Sequence, residues 1–167
     1  MSFADLLGID DDLTTLFDID TGQSPGHVQH DSGIERTGIK FETGSAGIGQ
    51  KVQSVWVRGR KYGNPTGPIT VCIRDSEDNV AATIGTFDVR HFTEGAEYSF
   101  AVRNRSNTYE MLAGDFVSVE YPADDTNGFA ISTNSTASDP SGYTSRSYTI
   151  VWSSALAEPL AITIKGA

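Results

Sequence analysis

The feature that most constrains this chain is a two-residue alternation that keeps restarting. Ile69, Val71 and Ile73 alternate with Thr70, Cys72 and Arg74. Tyr98, Phe100 and Val102 repeat the pattern, as do Val117, Val119 and Tyr121, then Tyr148, Ile150 and Trp152. A period of two sends successive side chains to opposite faces, so each run has one apolar face to bury. Turn-forming residues separate the runs: Asn64–Pro68 (NPTGP), Asp75–Asn79 (DSEDN) and Asp124–Gly128 (DDTNG).

Read this way, the chain holds about nine strands. They fall near Ile39–Glu42, Val52–Arg58, Ile69–Arg74, Val80–Ile84, Tyr98–Val102, Phe116–Tyr121, Phe129–Thr133, Tyr148–Trp152 and Leu160–Ile164. No helical period interrupts them, which predicts an all-β, two-sheet antiparallel β-sandwich or jelly roll. Composition agrees. Ser and Thr supply 34 of 167 residues, with 17 Gly and 10% aromatics, a bias towards pleated structure and turns. The 38% apolar content is enough for one core, and no apolar run approaches the 18 residues of a membrane-spanning helix. The longest polar stretch, Ser132–Ser147, reads as an exposed loop of the kind that carries binding in sandwiches.

Charge divides the chain. Residues 1–35 contain eight acids and no Lys or Arg, while the remaining residues hold 12 bases and 14 acids of the 22 in all. The acidity therefore belongs to the N-terminal segment, and the nearly neutral body lacks the basic face that nucleic acid requires. Arg58, Arg60 and Lys61 are the one dense basic cluster, with Arg103 and Arg105 a second pair. Met1 leads straight into SFADLLGIDDDL without the positive region of a standard secretion signal. Leu6, Ile9, Leu13, Leu16 and Phe17 recur at three- and four-residue spacing with acids between them, which predicts a short amphipathic helix. Its apolar stripe needs something to pack on, either its own domain or a neighbouring copy. Asp20–Gly33 follows as a Gly-, Ser- and Pro-bearing arm. The expected division is thus an acidic helix and arm over residues 1–36 and a sandwich over 37–167.

Catalytic patterns are missing. Cys72 stands alone and central to a strand run, so it makes no disulfide or zinc site. His27 and His30, followed by Asp31, give HxxHD, which could place donors near one metal, but they lie in a Gly- and Pro-bearing arm where spacing says little about geometry, and His91, after Arg90, has no evident partner. No GxSxG turn is present, and Gly44–Gly49 leads into a strand and not a GK[ST] helix start. The expectation is a protein that is not an enzyme and needs no cofactor. The ion the sequence best accommodates is calcium, since Asp75, Glu77 and Asp78 share one turn and Asp124, Asp125 and Asn127 another. Tyr62, Tyr109 and Tyr143 lie in or beside loops and suit sugar stacking or protein contact. Asn104-Arg105-Ser106 and Asn134-Ser135-Thr136 match the glycosylation pattern.

The stretch Pro65–Val71, running on through Asp75–Asn79 and Ala81–Phe87, is followed by Phe100 and then Leu112–Tyr121 (LAGDFVSVEY). With these residues the body resembles the small β-sandwich domains of phage and other viral virion proteins, and of carbohydrate-binding modules. The likeness covers roughly residues 38–165 and marks the scaffold. It implies a structural subunit of a virion, made in a host cytoplasm, that assembles with its own copies and other subunits through the N-terminal arm. In that expectation Leu6, Ile9, Leu13, Leu16 and Phe17 are the assembly residues, and the arm's acids face Arg58, Arg60 and Lys61. The alternatives are an extracellular carbohydrate-binding module contacting surface glycans and a subunit of a cell-surface filament. None of the three involves nucleic acid or insertion into a membrane.

Overall fold

The computed structural model describes residues 12–19, 26–31, 33–122, 124–148, 151–153 and 155–167. Within the described residues, eleven strands form two antiparallel sheets packed as a sandwich. Sheet I contains β1 (Thr14–Asp18), β2 (Gly26–Gln29), β4 (Val52–Tyr62), β7 (Tyr98–Arg103), β9 (Gly128–Thr133) and β11 (Ile162–Gly166). Sheet II runs in the order β10 (Tyr143–Tyr148), β3 (Arg36–Phe41), β8 (Phe116–Glu120), β5 (Pro68–Arg74) and β6 (Val80–Asp88). Among the described residues a single 3₁₀ turn, Val89–His91, joins β6 towards β7.

The alternation read from the sequence builds the core. Ile39, Ile69, Val71, Ile73, Val117 and Val119 of sheet II are fully buried against Val55, Val57, Phe129, Ile131, Ile162 and Ile164 of sheet I. The long strand β4 organises sheet I. β7 pairs with Ser54–Gly59, β11 with Val52–Val57 and β9 with Gly59–Tyr62. A strand has two edges, so β11 and β9 must share the edge that β7 leaves. β1 then lies on β11 and β2 on β9, so the N-terminal arm flanks its own sheet.

This placement corrects two expectations. The helix predicted to run through Leu13, Leu16 and Phe17 is a strand where it is described, hydrogen-bonded to β11 from Thr14 to Asp18. Leu6 and Ile9 lie outside the described residues. The three- and four-residue spacing misled because a register irregularity between Thr15 and Phe17 lets Leu16 and Phe17 both reach the core. Phe17 is fully buried and meets Tyr143 edge-on at 5.4 Å between centroids. The arm read as a linker likewise supplies strand β2.

A third correction concerns the region after β9. The strand expected at Tyr148–Trp152 falls in part on residues 149 and 150, outside the described residues, with Tyr148 bridging Trp152. A strand lies at Tyr143–Tyr148, inside the Ser/Thr-rich stretch read as a loop. Its inward residues Tyr143, Ser145 and Ser147 are buried, and Ser145 bonds Asp139 through both its amide and its hydroxyl. Buried serines with partners are stable, but they carry no hydrophobic signal. The free margin of sheet II at β6 is irregular. Pairing with β5 skips Ala81 and Ile84, two bulges of the kind that blunt an edge strand against further pairing.

Candidate functional site

The outer faces of both sheets carry clusters of polar and aromatic side chains. On the outer face of sheet II, Asp78 of the β5–β6 turn is a hub. Its carboxylate accepts two bonds of 2.9 Å from Arg36 Nη1 and one of 3.1 Å from Trp152 Nε1, and lies 3.7 Å from Arg74. Asp78 holds φ at +67°, a left-handed conformation that Asp tolerates better than most residues. Arg36 also lies 3.5 Å above the Tyr148 ring, and the Trp152 indole stacks on Phe116 at 4.1 Å. Beside this hub Arg74 grips Glu120 with bonds of 2.6 and 3.1 Å. Burial raises the Glu120 pKa, but bonds from Arg74, Cys72 and Ser118 outweigh it and the net shift is downward. Cys72 moves the other way. Burial and the adjacent Glu120 charge push its thiol up to about 12, so it is not a nucleophile. These contacts tie the β5–β6 turn and the segment after β10 onto the sheet.

On the outer face of sheet I, Glu97 gathers His27 of β2, Ser132 of β9 and Arg58 of β4. Serine, histidine and carboxylate together suggest hydrolysis, but the wiring is wrong. In a nucleophilic triad histidine stands between serine and the acid, so that it can take the hydroxyl proton. Here the carboxylate stands between the other two and accepts from both. The cluster pins β2 to the body. It also shows where the basic patch goes: Arg58 faces Glu97 at 3.6 Å in its own chain.

The acidic turns use their carboxylates on themselves. Asp75 Oδ1 accepts from the amides of Glu77 and Asn79 at 2.9 and 2.8 Å. Asp124 Oδ1 accepts from the amides of Thr126 and Asn127 at 2.8 and 2.6 Å, and these bonds hold its pKa down to about 2. Glu77 and Asp125 are exposed, and the Asn127 carboxamide oxygen accepts from the Asn64 amide at 2.8 Å. Among the described residues no three His, Cys, Asp or Glu side chains converge as metal ligands.

The three tyrosines do not form one surface. Tyr143 is a core residue packed between Phe17 and Phe41. Tyr62 donates its hydroxyl to the His30 carbonyl and locks the end of β2. Tyr109 donates to Asp115 at 2.9 Å, and burial followed by that bond and charge raises its pKa to about 12. It borders a shallow, open, polar depression of about 600 Å³ with Ala81, Thr83, Asn104 and Asn107.

The exposed aromatic surface is elsewhere, on the flank where β6 and β7 lie side by side. Phe87, from the end of β6, stacks on Phe100 at 4.5 Å and meets Phe92 edge-on at 5.6 Å. Tyr98, opening β7, packs over Phe92 at 5.3 Å, and His91 packs on Phe87 at 5.6 Å. Phe92 and Phe100 are buried, but Tyr98 remains 45% exposed and His91 is open to solvent. Arg90, exposed, pairs with Asp88 at the rim. Sequence reasoning missed this surface because Phe87 and Tyr98 reach it from different strands around the 3₁₀ turn. The one available signal was the density of rings between Phe87 and Phe100.

No family model, curated protein or solved structure matches the chain.

Proposed function

We propose that this chain is a non-enzymatic structural subunit of a virion, joined to its neighbours through the aromatic flank formed by Phe87, His91 and Tyr98. The observation that supports this reading is the exposure of Tyr98 above a buried ring cluster. Tyrosine and arginine dominate contact energy at protein interfaces, and a ring held by packing loses little entropy on docking. The polar clusters elsewhere act as ties within the sandwich, which suits a display domain better than a reactive one. The connector role expected of Leu16 and Phe17 passes to this flank, because both are consumed in the subunit's own core.

The experiment is the concentration dependence of solution mass, by light scattering, for the full chain and for Tyr98→Ala. The chain should self-associate, and the substitution should weaken association about 30-fold, the effect of losing a 2 kcal/mol hot spot. A second reading, glycan binding by stacking on Tyr98, uses the same ring. A chain that is monomeric throughout and binds glycans in a Tyr98-dependent way would replace the structural reading with that one.

A further inference from the structure

Strand β6 and the segment after β7 enclose a depression of about 600 Å³ that neither the charged hubs nor the aromatic flank uses. One wall is β6, whose pairing with β5 skips Ala81 and so turns that residue out of the regular alternation. Bulges of this kind re-aim side chains and recur beside functional sites. The facing wall is residues 104–110, and it is fixed from within. Asn104 Nδ2 donates to the Thr83 carbonyl at 2.9 Å, Asn107 Nδ2 to the Val52 carbonyl at 2.7 Å, and the Tyr109 hydroxyl to Asp115 at 2.9 Å. The same two asparagines accept from the amides of Ser106 and Tyr109, at 3.1 and 3.0 Å. Two kinds of group face the space between the walls. Ala81, Ala82 and Tyr109 are half-buried and packed on the core, so they present methyl groups and a ring. Thr83, Ser106, Thr108 and Glu110 are exposed, and their side-chain oxygens take no part in the bonds that hold the wall.

We propose that this depression binds a neutral saccharide. A pyranose has the same two-sided chemistry: its C–H face packs on a ring or a methyl group, while its hydroxyls both donate and accept. The hydroxyls of Thr83, Ser106 and Thr108 can answer in either sense, and the Glu110 carboxylate accepts from sugar hydroxyls. The volume lies within the range of about 300–1,000 Å³ usual for small-molecule sites, which combine an apolar lining with a few placed polar groups. Charge narrows the class. Among the described residues the lining holds one acid and no base, and Arg105 in the same segment pairs with Asp12. An acidic sugar or a phosphate therefore meets Glu110 without a counter-charge. A peptide strand fits poorly as well. The Asn104 amide already occupies the Thr83 carbonyl, and the bulges interrupt the row of backbone groups that an added strand needs. Tyr98 opens β7 and Asn104 follows its last residue, so this site and the aromatic flank lie at opposite ends of that strand. The proposal holds whether or not Tyr98 joins subunits.

The test is a titration of the full isotope-labelled chain, read by amide nuclear magnetic resonance shifts. The probes are glucose, galactose, mannose and N-acetylglucosamine, with glucuronate and glucosamine as charged counterparts. At least one neutral sugar should shift the amides of Ser106, Thr108 and Glu110 to saturation, and should bind more tightly than either charged one. Thr108→Trp fills the depression from an exposed position, and Tyr109→Ala removes the ring. Each should weaken binding about tenfold or more while the spectrum of the sandwich stays dispersed. If Tyr109→Ala fails to fold, because Asp115 loses a donor, Thr108→Trp decides alone. Tyr98→Ala should leave the titration unchanged, which separates this site from the surface assigned to assembly. Absence of a saturable shift with every neutral sugar overturns the proposal. Tighter binding of glucuronate or glucosamine overturns it by changing the ligand class, and shifts centred on Tyr98 overturn it by moving the sugar to the aromatic flank.

Discussion

Acid should loosen this fold through a single histidine. His30 follows β2 and is fully buried, with Nε2 3.0 Å from the Thr37 hydroxyl and the ring edge-on to Phe129 at 5.6 Å. Burial removes the solvation an imidazolium needs. The nearby charges of Asp31 and Glu120 offset only part of that, so the pKa falls from 6.5 to about 4. The unfolded chain takes up the proton near 6.5 and the folded chain not until about 4. Between those values the unfolded state binds more protons, so stability present above 6.5 is lost as pH falls towards 4. A gap of about 2.5 pH units corresponds to about 3 kcal/mol in total, of which about 2 kcal/mol is lost between pH 7 and pH 5. The assay is urea unfolding at a series of pH values for the native chain and for His30→Gln, which can still bond Thr37 but does not titrate. The variant should start less stable at pH 7 and lose less on acidification, so that the two curves converge by about 2 kcal/mol at pH 5. Parallel curves would refute the reasoning, because they would mean that His30 is not held neutral by its surroundings.

Other outcomes follow from the same contacts. Phe17→Ala should destabilise the monomer by about 3–5 kcal/mol in urea unfolding, since it empties a fully buried site beside Tyr143. A loss below about 1 kcal/mol would instead mark Phe17 as a residue reserved for a partner. Cys72 should react with a disulfide reagent at pH 8 only as fast as the protein unfolds, because its thiol is buried and pushed up to about 12. Rapid labelling of the native chain would contradict the Cys72–Glu120 contact.

The sandwich divides its surface between charged hubs and an aromatic flank. Asp78 and Glu97 each collect donors from two or more separate segments, so each fastens a turn or strand that hydrophobic packing alone leaves at the margin, while Glu120 ties β8 to its neighbour β5. The pairs are partly buried, with Arg36 and Arg74 side chains 13% and 15% exposed. Removing one partner at such a site leaves a charge without its counterpart, which is more damaging than the pair is stabilising. Against that tied background, the rings at Phe87 and Tyr98 stand out as surface that the sandwich leaves open.

The sequence by itself determined the sandwich. Alternation at Ile69–Ile73 and Val117–Val119 can be satisfied only by a sheet with one buried face, and the turn residues at Asp75–Asn79 and Asp124–Gly128 fix where strands end. Those signals are local, which is why they could be read without a structure. The tertiary structure decided everything that depended on what lay across a strand. Leu13, Leu16 and Phe17 have helical spacing, yet β11 offers a free row of hydrogen-bonding groups, and a paired edge strand outweighs a short helix that is marginal alone. Ser145 and Ser147 look like loop, but Asp139 and Ser153 satisfy them, so a polar stretch becomes a strand. Tyr62, Tyr109 and Tyr143, alike in sequence context, end as a lock, a rim and a core residue. A side chain's role is set by its partners in space, and those are chosen by register and packing between segments that the linear order keeps far apart.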